Sequence, residues 1–336
     1  MMKRRLLKVA ALIMLGGYFT SCKKDKTEDV PPVYDIPTSY NFDNVDYTEA
    51  TQAVNMATGL QTYLGRATSR QLSQDTVNYL WNNTNDGFTG EFISNLPFTS
   101  AQLNAATAVK LSALSVDPAV IKAYADSMVI ISQHQAVTAE QGIAGKLGTN
   151  RIVNYTGLEF NQLVVKGLMG YFQMSQVFQH LDKAATADNN TVTPGKGTAM
   201  QHEWDLAFGY VSLPKDYDSS FSYTASPQRA DRPLGIGGYF AERAKPIKAG
   251  GTVFAAFLKG RAAIGAKDYQ ARDEAIATIK EYLEKTLAIS AYTYLNLSKT
   301  RAGETANVSR FHDYSEAYGF TIALKQRASN SKLTST

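Results

Sequence analysis

The chain has 336 residues, a formal net charge of +4, 44% hydrophobic residues and one cysteine. That length and apolar content suffice for one large or two small folded domains, and a charged fraction of 19% excludes a disordered chain. A single cysteine excludes a disulfide scaffold and any Cys-rich zinc or iron–sulfur site.

The positive excess is concentrated at the N-terminus. Lys3, Arg4, Arg5 and Lys8 precede an apolar run from Val9 to Leu15, then Gly16, Gly17 and small residues up to Cys22. This is the charged, apolar and small-residue succession of a secretory signal, too short to span a bilayer as a helix. Phe19-Thr20-Ser21-Cys22 resembles a bacterial lipobox, which implies cleavage after residue 21 and lipidation of Cys22. Residues 1–21 carry four positive charges and no acid, so the mature chain is neutral and nucleic acid is not an expected partner. Residues 22–40, charged and then Pro-rich, read as a flexible tether to the membrane.

From about Thr48 the apolar spacing is helical throughout. Val54, Met56, Leu60, Tyr63 and Leu64 define a first helix ending near Gly65, and Leu72 to Trp81 a short second one. Ser100 is a candidate N-cap, and Asp117-Pro118 opens a helix running through Ile121, Tyr124, Met128 and Ile131. Gly157 to Leu181 is apolar on nearly every side, which predicts a central position. A helix carrying Met200 to Tyr210 follows Pro194-Gly195-Lys196-Gly197. The stretch from Leu213 to Gly238 is longer than an ordinary connection and is therefore functional or mobile. Val253–Ala266, Asp268–Leu295 and Phe311–Lys325 complete the helices, and no β-hairpin signal has strong flanks. The predicted fold is all-α: antiparallel helical hairpins packed as one or two bundles over residues 41–328, with a polar tail at 329–336.

Candidate chemistry rests on four histidines. His202 has Asp205 at i+3 and His312 has Glu316 at i+4, spacings that bring side chains to one helix face. Two such helices facing each other would build an N/O site for a divalent metal, iron or zinc. With acids at 30 of 336 positions, such pairs also arise by chance, and helix-surface ion pairs are the competing explanation. Glu159, Gln162 and Lys166 form a polar stripe at i, i+3 and i+7, either a network beside the histidines or a solvated face. Lys259 and Arg261 would pair with these acids or bind an anion. His134 and His180, flanked by glutamines, read as surface or helix-end residues. No Gly-x-Ser-x-Gly elbow, His-Glu-x-x-His helix, P-loop or dinucleotide turn occurs.

The blocks Gly157-Leu158-Glu159-Phe160-Asn161-Gln162, His202 to Tyr210, Ala256 to Arg261 and Ser315 to Phe320 resemble an uncharacterised helical lipoprotein family of Gram-negative bacteria. That family is itself similar to the imelysins. So do Gly142-Ile143-Ala144-Gly145 and Lys166-Gly167-Leu168-Met169-Gly170. The resemblance implies a helical bundle, a His-x-x-Glu metal motif and a link to iron uptake. His202 and Asp205 would stand for that motif with Asp replacing Glu, and His312 and Glu316 match a second block. The expected function is a lipid-anchored, outer-membrane binding component of iron or metal uptake, facing the periplasm or the cell surface. The alternatives are a metallopeptidase of imelysin type and a non-catalytic accessory subunit of an outer-membrane transporter. Enzyme activity is not the favoured reading.

Overall fold

The computed structural model describes residues 32–223, 229–301, 303 and 307–333. The signal segment, Cys22 and the tether as far as Pro31 lie outside the described residues.

Among the described residues the α-helices follow in chain order: α1 (Thr48–Gly65), α2 (Gln74–Asn82), α3 (Ser100–Ala105), α4 (Leu111–Leu114), α5 (Pro118–Ser132), α6 (Phe160–Leu168), α7 (Ser175–Ala184), α8 (Ala199–Val211), α9 (Ile236–Glu242), α10 (Ala249–Ala266), α11 (Tyr269–Thr300) and α12 (Val308–Ala323). Two small antiparallel ladders interrupt them, β1 (Gly145–Leu147) with β2 (Arg151–Val153) and β3 (Val192–Thr193) with β4 (Gly197–Thr198). Strands of two or three residues carry too little alternation to be read from sequence, and these lie on the predicted connections.

Capping chemistry sets several boundaries. Thr99, not Ser100, caps α3 in a capping box with Gln102, and Thr198 does the same for α8 with Gln201. Asp268 caps α11 by accepting from the Ala271 amide at 3.0 Å. Asp117 precedes Pro118 as expected, but its backbone is left-handed (φ 44°) and its side chain makes no cap hydrogen bond. Among the described residues no helix is long and apolar enough to cross a membrane.

The segment read as central runs unbroken from Phe160 to Ala184, because a π-helical turn, Met169–Met174, joins α6 to α7. One surplus residue in that turn lets the Ser175 hydroxyl donate to the Gly170 carbonyl at 2.8 Å, and lets the Tyr171 carbonyl accept from the Val116 amide at 2.7 Å. A Cβ at Gly170 would sit 2.2 Å from the Ala323 carbonyl oxygen, so only glycine admits the end of α12 this close.

Around this rod the helices close a circuit. α6 packs on α5 and α12, α12 on α11, α11 on α10, α10 on α8, and α8 on α7, while α1 covers α6 and α8. The connection between α10 and α11 is two residues, Lys267 and Asp268, which makes that pair an antiparallel hairpin. Buried side chains from Tyr40 to Ala323 form one contiguous apolar cluster, so the helices share one core and not two. Trp204, Tyr210, Phe172, Phe208, Phe257 and Phe320 are among its fully buried members.

Candidate functional site

The polar stripe of α6 faces α12, and there it builds a buried charged network. Glu159 sits at the N-cap position of α6, 5% exposed, and its amide donates to Ser315 Oγ at 2.9 Å. Its carboxylate meets His312 Nδ1 at 2.8 Å, Gln162 Nε2 at 3.4 Å and Arg151 at 3.5 Å. His312 turns its other nitrogen toward Glu316 Oε1 at 3.5 Å, and Lys166 Nζ holds the same oxygen at 2.9 Å. Lys166 is 6% exposed, with its ammonium over the rings of Tyr239 and Phe320 at 5.2 and 5.9 Å. Tyr294 stands beside Glu316, but its hydroxyl gives its one proton to Glu242 Oε1 at 2.7 Å. Glu316 Oε2 is therefore buried without a donor.

Burial pushes the Glu316 carboxyl up, and the Lys166 ammonium, followed by His312, outweighs it, holding Glu316 below the usual carboxylate range. Arg151 and Lys166 offset Glu159 and Glu316 one for one, and His312 lies between the two acids. The Ser315 hydroxyl accepts from the Glu159 amide and donates to the Phe311 carbonyl at 2.7 Å, leaving no proton for an activating base.

The other predicted pair separates. Asp205, 0% exposed, accepts from the Tyr40 hydroxyl at 2.6 Å and from Arg261 Nε at 2.9 Å, and its hydrogen bonds and ion pairs do not include His202. Arg261 also donates to the Asp43 carbonyl at 3.3 Å and stacks over Phe42 at 5.2 Å, while the Tyr40 ring lies parallel to Phe208 at 3.7 Å. Asp205 and Arg261 thus clasp the segment 40–43, where the N-terminal strap enters the core. Burial pushes Asp205 up to about 6 even with Arg261 and Tyr40 beside it.

His202 stays at the edge of α8 near Asp46 and Lys196, its Nδ1 without a partner, and burial followed by the Lys196 charge lowers its basicity. Lys259 reaches the surface and pairs with Glu274 at 3.0 Å, far from either network in its contacts. His134 is exposed as expected, but His180 is buried: its Nδ1 lies 2.6 Å from Glu203, and its ring stacks on Tyr210. The structure therefore joins His312 to Glu316, Glu159, Gln162 and Lys166, joins Asp205 to Arg261, and leaves His202 and Lys259 outside. Tyr40, Tyr294 and Glu242 were not foreseen, because their partners are 52 or more positions away in sequence.

A metal would need three convergent donors. Among the described residues no three His, Cys, Asp or Glu side chains are grouped to hold one. Between α6 and α12 the two nitrogens of His312 address different glutamates, and the Lys166 ammonium already occupies Glu316, which opposes a cation there.

Residues 37–334 match the family described as Domain of unknown function (DUF4856). Neither the curated proteins nor the solved structures yield a match to this chain.

Proposed function

The chain belongs to the DUF4856 family, and we propose that it is a non-catalytic accessory protein of the bacterial envelope. In this reading lipid on Cys22 holds it at the outer membrane beside a transporter for iron or another metal. The lipobox-like Phe19–Cys22 supports the anchor, and the likeness to imelysins supports the link to iron. The observation that carries the reading is that each acid of the sequence-derived site already has a partner within the protein. Asp205 has Arg261 and Tyr40, Glu316 has Lys166, and Glu159 has His312. Such closed pairs fix helix against helix and hold Asp205, Glu316, Glu159 and His312 against partners of the protein itself. A peptidase needs an open metal position and a base in reach of it, and the pairing supplies neither.

Elemental analysis of the full chain, purified in detergent without chelator, tests this beside a His202→Ala, His312→Ala double variant. The expected result is far less than one equivalent of iron or zinc in both. One equivalent in the parent protein that the double variant loses would replace this reading with a metal centre. The anchor is tested separately: Cys22→Ala is expected to move the chain out of the outer-membrane fraction, and retention there would remove lipid from the proposal.

A further inference from the structure

Helix α10 begins without a cap. Lys248 holds its N-cap position in a left-handed conformation (φ 54°), no side chain caps the helix, and its first turn contains no acid. The Ala249 amide donates to the Ala244 carbonyl at 3.3 Å and the Thr252 amide to the Lys248 carbonyl at 3.1 Å. The Gly250 and Gly251 amides are left without an acceptor among the described residues. Two free N–H groups at the positive end of an 18-residue helix favour an anion.

A buried side chain points to the same ligand. Tyr217 is 7% exposed, and its hydroxyl makes no hydrogen bond among the described residues. That oxygen is not sealed off, and Tyr217 lines an open cleft of 610 Å³ together with Ser219, Gly250 and Gly251. The phenol stands against the helix backbone. A Cβ at Gly250 would lie 2.1 Å from the Tyr217 oxygen and 3.0 Å from Phe240 Cβ, so only glycine admits this approach. Burial, with Tyr223 and Asp218 nearby, pushes the phenol up to about 12, so at neutral pH it is still a proton donor. The Ser219 hydroxyl stands 3.4 Å from the Cβ position of Gly251.

Two cations and no acid complete the lining. Lys245 and Lys248 are exposed, and among the described residues neither is in an ion pair. Asp218, between Tyr217 and Ser219 in the chain, lies outside the lining, and its carboxylate accepts from the Ser220 amide and hydroxyl at 2.8 and 2.7 Å. The cleft is therefore a net positive one with amide and hydroxyl donors converging on it.

We infer that this cleft binds phosphate, as the free ion or as the terminal group of a small ester. The Gly250 and Gly251 amides, the Tyr217 and Ser219 hydroxyls and the two lysines are its donors. Isothermal titration of the full chain in detergent, at pH 7.5 and constant ionic strength, is expected to show saturable 1:1 binding of inorganic phosphate. Tyr217→Phe is expected to weaken it about tenfold, the loss of one hydrogen bond to an anion. Lys245→Gln with Lys248→Asn removes both charges, asparagine keeping the left-handed backbone at 248, and is expected to cost about tenfold or more. Glycerol 3-phosphate separates the two sources: tighter binding than phosphate assigns an ester, and weaker binding the ion itself. Absence of saturable binding, or equal displacement by chloride, would overturn the inference. A loss confined to the lysine variant, with Tyr217→Phe unchanged, would mean an adventitious ion only and would overturn it as well. If circular dichroism shows that Tyr217→Phe does not fold, Ser219→Ala, at an exposed position, decides in its place.

Discussion

Replacing Arg261 by methionine is expected to destabilise the protein by about 3–5 kcal/mol near pH 8, the usual consequence of leaving one member of a buried ion pair alone. Methionine can follow the aliphatic course of the arginine stem, so the loss falls on the charge and its hydrogen bonds. Asp205 is fully buried and would keep only the Tyr40 hydroxyl as a donor. The effect has a pH signature. Burial raises Asp205 to about 6 in the folded protein, above its unfolded value, so the folded state binds the extra proton between roughly pH 4 and 6. The stability this group contributes is therefore present in acid and is lost as pH rises through about 6. Without Arg261 the carboxyl rises further, and the variant's deficit shrinks near pH 5, where Asp205 is protonated and needs no cation. Urea denaturation at the two pH values measures this, and an equal deficit at both would assign the loss to packing. Adding Asp205→Asn should recover most of it. Since Arg261 also holds the Asp43 carbonyl and Tyr40 closes on Asp205, amide exchange at residues 40–43 should accelerate in the single variant.

Helices were legible wherever a 3–4 apolar spacing met a cap or a breaker. Gly65 closed α1, Pro118 opened α5, and the Lys267-Asp268 turn divided α10 from α11. The π turn at Met169–Met174 has no local signal, and within it Gly170 meets the Ala323 carbonyl, a neighbour far away in sequence. Helix α9 begins inside the stretch Leu213–Gly238, expected as a connection, and runs four residues past it, too short to show a period. The two His/acid pairs show what spacing can and cannot decide. A step of three residues turns an α-helix through about 300°, so His202 and Asp205 differ in direction by about 60°. On α8 that difference places Asp205 in the core while His202 stays at the rim. A step of four, with α6 packed opposite, brought His312 and Glu316 together. The stripe Glu159, Gln162, Lys166 marked the facing surface correctly, since each of the three is less than 9% exposed. What sequence could not supply was the partner of each charge, because Tyr40 meets Asp205 across 165 positions.

Lys166→Met should be as damaging near pH 7, about 3–5 kcal/mol, but with the opposite response to acid in the parent protein. Glu316 is held below its ordinary value: burial raises it, and Lys166 with His312 prevails. A depressed carboxyl contributes stability that is present above its unfolded pKa, about 4.5, and is lost as pH falls through the folded value. The parent network is thus acid-sensitive where the Asp205 clasp is acid-tolerant. Removing Lys166 leaves Glu316, 4% exposed, with His312 at 3.5 Å and no closer cation. Burial then dominates, Glu316 rises, and its contribution reverses sign, so acid relieves the variant while it strains the parent. The deficit of Lys166→Met should consequently narrow steadily from near pH 7 to near pH 4.5. The double variant Lys166→Met, Glu316→Leu removes both charges and should recover much of the loss, because an apolar pair of similar volume replaces a buried ion pair at little cost. A deficit that is constant with pH, or a double variant no more stable than the single one, would mean that Lys166 serves the core through its stem, packed on Tyr239 and Phe320, and that the Glu316 pair contributes little.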